Sequence, residues 1–500
     1  MKIISVVILV CISFLNNNFA LNKAQAQAAP LKEWTVLVYL NADNNLYQFG
    51  LLNISQMEKI GSTNDVNVVV QFDPEPSGMA TNRYFITKNP NPVSGKITSQ
   101  VVATLPETDM GSPKTLSEFL AWGVKNYPAK KYAVIIWNHG NGWQGVSYDD
   151  NPSTYLSMPA LRAGLESMNS VVAQQRGVRN TGAQIDILNF DACIMSALEV
   201  GYELKDTAKV MVGSQFNEPG EGENYTSFLT PMVAKPTMAA RELGEVLVYQ
   251  YSLNYQKQSN INYAAVDLTR MNNFVAQFNN SIGVTNGSPK KADMKRAYGS
   301  GSFDLVTGLN NARTAAASDP NSAAALDALI AGYGYPKEGT QRMSAQEAMT
   351  MDMTVTRYYP GEVNYKLQLN SPWQKAVLQQ TATGQYEFKF PRKPAQYFVV
   401  AVGNQRGRQV AIREALTSVV REGANPIVFH NQFPDSSPLI ADSYTMATKG
   451  AHGMTLYSLA GMTSARNPST QSFGQTMLSL YKELMFAKTG APNWTLFFGL

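Results

Sequence analysis

Cysteine, histidine and clustered positive charge are all scarce in this chain, and each shortage narrows what it can do. Of 500 residues two are cysteine, Cys11 and Cys193, and Cys11 falls inside an apolar N-terminal stretch that reads as a removable leader. The mature chain then has a single thiol, so no internal disulfide can form. A lone cysteine in an exported protein is either a reactive group or a small buried hydrophobe. The formal charge of +4 falls by two when Lys2 and Lys23 leave with the leader, and no run of clustered Lys and Arg occurs. That balance argues against a nucleic-acid partner and against a basic membrane-binding patch. There is no internal repeat, and 44% apolar with 16% charged residues is the balance of a globular protein, not a disordered one.

Long hydrophobic runs are missing too. The apolar stretch Ile3 to Leu15 is shorter than the roughly 20 residues a spanning helix needs. Lys2 precedes it, and Ala24-Gln25-Ala26-Gln27-Ala28 follows with two small-x-small cleavage sites. Residues 1–28 are therefore expected to be a secretory signal peptide cut after Ala26 or Ala28, and the mature protein to be secreted or periplasmic without stable membrane insertion.

The rest of the chain alternates buried-strand and helix patterns. Thr35 to Leu40, Val66 to Phe72, Tyr132 to Trp137, Ile185 to Phe190 and Val210 to Gly213 are nearly continuous apolar runs, as expected of strands covered on both faces. Between them lie a helix carrying Leu46, Phe49 and Leu52, one opened by a capping box Thr115-x-x-Glu118, and one expected over Ile194 to Leu204. The Ala-rich stretch 314–331 reads as a further helix. The sum is an α/β fold, a mainly parallel central sheet flanked by helices. Residues 29–335 with 450–500 form the main domain. Residues 336–449, with alternating segments such as Tyr386 to Phe390 and Tyr397 to Val402, read as a small β-rich insertion or as an extension of the main sheet.

In open α/β sheets ligands bind beyond the carboxyl ends of the strands. Two polar clusters fall there: Asn138-His139-Gly140-Asn141-Gly142-Trp143 and Asp191-Ala192-Cys193. A cysteine in the first turn of a helix has its pKa lowered by the helix dipole, which favours the nucleophilic thiolate. A histidine could then protonate a leaving amine, and the N–H groups of Gly140 and Cys193 could form an oxyanion hole. Of the three histidines, His430 and His452 also follow or precede suitable segments and stay open as partners. His139 is favoured by its glycines at 140, 142 and 145 and by standing 54 positions before Cys193, close to the spacing of about 50 in caspase-type enzymes.

These residues carry a family resemblance. Trp34-Thr35-Val36-Leu37-Val38-Tyr39-Leu40-Asn41-Ala42-Asp43-Asn44-Asn45-Leu46, the Asn138 to Trp143 segment and Phe190-Asp191-Ala192-Cys193-Ile194-Met195 look like three segments of the clostripain family, in order. Gly213-Ser214 with Glu218-Pro219-Gly220-Glu221-Gly222 resembles the strand and loop that follow. The resemblance implies a caspase-like fold of the clostripain, gingipain, legumain and caspase group. It also implies a secreted cysteine endopeptidase acting on proteins or peptides after Arg or Lys, with His139 and Cys193 as catalytic dyad and Asp191 in the P1 pocket. Asp191 as a helix cap is the plainer alternative. Asp43 reads as an Asx-type cap or as part of the cleft edge.

The chain departs from the family pattern in two places. Residues 140–161 contain no Lys or Arg where relatives often cut themselves, which leaves Arg176 and Arg179 as the nearest substitutes. Gln215 stands where relatives often have an acid. The sequence itself requires no cofactor. Calcium is implied by the resemblance, with Asp149-Asp150 as a candidate ligand pair. A non-catalytic secreted binding protein keeping the same fold, and a thiol-dependent amidase or transpeptidase, are the competing functions. Oligomeric state has no sequence signature here.

Overall fold

The computed structural model describes residues 31–334 and 433–500, with short breaks at 76–78, 94, 180–181, 256–260, 435, 446–451 and 464–467, and the backbone alone of several strands between 352 and 430. The expected leader, with Cys11, lies outside the described residues, as does the side chain of His430.

Alternation of side chains about one strand shows how the layers form. In β1 (Lys32–Ala42), Val36, Val38 and Leu40 join one apolar cluster and Leu37 and Tyr39 the other, so both faces of the strand are buried. The first face is covered by α1 (Tyr47–Ile60), through Leu51, Ile54 and Met57. The second is covered by α2 (Pro113–Asn126) and, further along, α3 (Met158–Gln175). Helices on both faces are what near-continuous hydrophobic strands require, because a bare face would leave valines and isoleucines in water at about 25 cal/mol per Å².

Strands β1, β2 (Val66–Pro74), β5 (Ala129–Trp137), β8 (Ile185–Asp191) and β9 (Ala208–Gly213) run parallel in the order β2-β1-β5-β8-β9. Antiparallel strands β3 (Thr81–Phe85) and β4 (Gln100–Leu105) extend one side, and β10 (Asn262–Asp267) and Leu439–Thr445 the other. Beyond Leu439–Thr445 the same sheet continues through Ile427–His430, Val419–Arg421, Val399–Asn404 and Gly361–Lys366, while Asp352–Val355 and Tyr386–Lys389 pair in a separate small sheet. A hairpin of β6 (Val146–Asp150) and β7 (Ser153–Leu156) follows β5. Chain order reverses between β1 and β5, the switch point at which doubly wound sheets open a crevice.

Three local expectations are corrected. The helix after Cys193 begins later: residues 192–194 form a bend and turn, Ala197 bridges to Thr455, and α4 spans Leu198–Leu204. The Thr115 capping box is not used, because Pro113 occupies the first helical turn and starts α2 two residues earlier. The Ala-rich stretch is two helices, Leu305–Ala315 and Pro320–Tyr333, since Pro320 opens a new helix.

Candidate active site

The parallel strands deliver their ends to one edge. Trp137 of β5 lies beside Asp191 of β8, and the Asn138 amide donates to the Asp191 carbonyl at 3.3 Å, so the chain after each strand departs from the same place. Between these ends and the Asn217–Gly222 loop lies a cleft of about 420 Å³. His139, Gly140, Asp191, Cys193 and Glu218 all line it.

Cys193 is half-buried. Its Sγ accepts a hydrogen bond from the Glu218 amide at 3.2 Å. Burial pushes the thiol above its ordinary value; the amides of Glu218, Cys193 and Gly140 pull the other way, and the Asp191 charge adds to the rise. The expected depression by a helix dipole is absent, because α4 starts five residues further on and Cys193 sits in a turn. That turn is strained. Ile194, β-branched, has φ 53°, a left-handed conformation that costs on the order of 1–3 kcal/mol. Backbone bonds from Ile194 to Phe216 (2.9 Å) and from Ser196 to Ser214 (2.8 Å) hold it.

Gly140 must be glycine. A Cβ there would stand 2.3 Å from the Cys193 carbonyl oxygen and 3.1 Å from its nitrogen. The two backbones are thus stacked closely enough for both amides to act on the sulfur.

His139 Nε2 lies 2.7 Å from Asn45 Oδ1. An amide oxygen only accepts, so Nε2 carries the proton and Nδ1 is left as the free base. Burial pushes the imidazole below its ordinary value, against an opposing pull from Asp150, so it is neutral at pH 7. Asn45 was not singled out as a site residue in the sequence; only its place beside Asn44 in the β1–α1 connection hinted at it. His452 is a structural residue. Its Nδ1 bonds Asp304 Oδ1 at 2.8 Å, its amide donates to Asp304 Oδ2 at 2.7 Å, and it is buried. Gln215 joins that network through its Nε2 on Asp304 Oδ2 (3.1 Å) and does not line the cleft.

Asp191 caps no helix of its own. Its Oδ1 accepts the Glu223 amide (2.9 Å) and its Oδ2 the Tyr225 hydroxyl (2.9 Å). Gly222, at φ 60°, admits this contact, since a Cβ there would lie 2.4 Å from Asp191 Oδ1. Glu218 beside it is half-buried, but both of its carboxyl oxygens are shut off from solvent and neither has a hydrogen-bond partner. Burial raises Asp191, Glu218 and Glu223 alike, and the Asp191 charge adds to the rise of the other two. The floor of the cleft is a nest of carboxyls with no cation of its own. Glu218 was visible in the sequence only as part of a Gly-Pro loop, because nothing local marks a loop acid as folding back under a strand end.

Asp43 is neither cap nor cleft wall. Asn44 makes the Asx turn, its Oδ1 accepting the Leu46 amide at 2.9 Å. Arg176 and Arg179 lie exposed between α3 and β8. No helix among the described residues is long and apolar enough to cross a membrane.

Comparison with known proteins places the chain in a family. The chain is 28% identical over 202 residues to clostripain of Hathewaya histolytica, a match covering 34% of this chain and 36% of clostripain, so it spans about a third of that relative's length. An inactive zymogen C11 protease from Parabacteroides distasonis shares the fold, with a TM-score of 0.50 at 14% identity over 92% of this chain and 99% of that one. A secreted C11 cysteine protease from Bacteroides thetaiotaomicron, solved with an irreversible peptide inhibitor, superposes with a TM-score of 0.49 at 14% identity, covering 90% and 98% of the two chains. The model of the clostripain family matches residues 38–388, more than half of the sequence, and the chain belongs to that family.

Proposed function

We propose that the protein is a secreted cysteine endopeptidase that cleaves after Arg or Lys, with Cys193 as nucleophile and His139 as acid/base. One observation carries the reading: His139 and Cys193 line a single cleft whose floor holds Asp191 and Glu218, buried carboxyls without a cation. A guanidinium or ammonium entering that floor favours the ionised form of these raised carboxyls and pairs with it, and the pairing is strong because water is largely excluded.

The chemistry follows from the protonation states. Thiol and imidazole are both neutral at rest, so attack begins with proton transfer from Sγ to the free Nδ1 of His139. The sulfur then adds to the scissile carbonyl carbon, and the developing oxyanion is held by the amides of Gly140 and Cys193. The C–N bond breaks as His139 returns its proton to the leaving amine, leaving a thioester. Water adds to the thioester with His139 again taking a proton. The C–S bond breaks, the proton returns to sulfur, and the new carboxyl product leaves. Asn45, holding Nε2–H, keeps the ring in the tautomer that this sequence of transfers needs.

A fluorogenic library varied at P1 tests the proposal on purified mature protein. Cleavage after Arg and Lys is expected, abolished in Cys193→Ala. Equal turnover by that variant would remove Cys193 from the chemistry. A folded protein that cleaves nothing would favour the binding-protein alternative.

A further inference from the structure

A second group of acids lies away from the cleft. Asp43 follows β1, Asp73 is near the end of β2, and Asp149 is in β6. Each is at most 2% exposed, and one carboxylate oxygen from each lies within 4.8 Å of the other two. The register explains the meeting. Asp73 pairs with Asn41 across β1 and β2, and the Asp150 amide donates to the Asp43 carbonyl at 2.9 Å, which draws the β6–β7 hairpin over the end of β1.

Hydrogen bonds satisfy this group only in part. Asp149 accepts the Met110 amide (2.7 Å) and the Asn151 amide (3.0 Å), and Asp73 Oδ1 accepts the Thr81 hydroxyl (2.6 Å). The Oδ2 atoms of Asp43 and Asp73 have no partner, and neither has either carboxyl oxygen of neighbouring Glu107. No lysine or arginine among the described residues forms an ion pair with these acids. Buried carboxylates without donors are costly unless a cation compensates them.

We propose that Asp43, Asp73 and Asp149 bind a calcium ion. The set is all oxygen, which suits a hard cation and gives no footing to softer metals. A spread within 4.8 Å is no wider than two oxygens on opposite sides of one calcium ion, about 4.6–5.2 Å apart. The adjacent pair Asp149-Asp150 is not the ligand set, because the exposed Asp150 side chain is not part of the cluster. The bound ion braces the β1 end against the hairpin following His139. Asn138 Nδ2 already bridges the two, donating to the Asn41 carbonyl (2.8 Å) and the Tyr148 carbonyl (2.9 Å). None of this depends on the peptidase reading.

Calorimetric titration of calcium chloride into chelator-treated mature protein, with melting temperature recorded in parallel, tests the site without using activity. One saturable binding event and a calcium-dependent rise in melting temperature are expected. Asp73→Asn and Asp149→Asn should each weaken binding by at least about tenfold, and Asp150→Asn should not change it. In chelator Asp73→Asn should melt no lower than the parent, because it removes like-charge repulsion; should it fail to fold, Asp43→Asn serves in its place. Absence of calcium-dependent heat and melting shift, binding of magnesium chloride in preference to calcium, or undiminished affinity in the Asn variants would each overturn the proposal.

Discussion

Two groups of buried carboxyls stand at the same edge of the sheet, one beneath Cys193 and one between the ends of β1 and β2, and they differ in how they are completed. Asp191 is tied by Glu223 and Tyr225, and Glu223 by Asn189, whose Nδ2 donates at 2.7 Å; Glu218 beside them keeps both oxygens unpartnered, and the group opens into a cleft. The Asp43, Asp73 and Asp149 group keeps unpartnered oxygens and is not among the cleft-lining residues. An acid nest open to a cleft suits the long cationic end of a side chain. An enclosed and incompletely bonded one suits a small ion. The lesson is that buried acids alone do not specify a ligand; access does.

The largest expected effect separates the two groups directly. Asp191→Asn or Glu218→Gln should lower kcat/KM for Arg and Lys substrates by on the order of 10²- to 10³-fold, as losing a buried charge partner does, while calcium binding stays as it was. Unchanged preference for basic P1 residues in both variants would break the comparison from the cleft side. Gly140→Ala is next. Its Cβ would meet the Cys193 carbonyl at 2.3 Å and push the oxyanion donors apart, with an expected loss of roughly 10²-fold in kcat and little change in calcium affinity. Asn45→Ala should cost about tenfold or more in kcat with KM nearly constant, together with an altered pH profile as the His139 tautomer is freed. A pure KM effect would make Asn45 a substrate contact instead.

Two smaller effects concern protons. With the thiol raised and the imidazole lowered, alkylation of Cys193 by iodoacetamide should accelerate only above the ordinary thiol value of 9.0, and a rate plateau near pH 6 would contradict a neutral resting pair. Glu199 supplies a third kind of buried acid, held by protein donors and outside the cleft lining. Its Oε1 accepts the Tyr457 amide (2.8 Å) and the Tyr481 hydroxyl (3.1 Å), and burial pushes it up to about 7. A carboxyl that holds its proton more tightly when folded contributes stability in full below its unfolded value of 4.5, and loses it as pH rises toward about 7. Glu199→Gln should therefore flatten the fall in melting temperature across that window.

Much of the frame was legible in the sequence. Val36, Val38 and Leu40 against Leu37 and Tyr39 report burial on both faces, so a parallel sheet between helix layers follows from local composition, as does the delivery of His139 and Cys193 to strand ends. The helix start after Cys193 was misplaced because Ile194 to Ala197 are acceptable helix residues, and only the bonds to Phe216 and Ser214 hold them in a strained turn. Asp43 reads in the sequence as a cap or cleft edge and Asp149 as paired with Asp150, and Asp73 is not singled out; nothing local joins the three, since Asp43 and Asp149 stand more than a hundred positions apart. Residue type and periodicity determined the sheet, the strand-end loops and a lone thiol among them. Tertiary structure alone decided which acids share a pocket, which histidine faces the cleft and what ionisation Cys193 has at rest. Those depend on burial and on donors brought from distant loops, and neither is a property of neighbours along the chain.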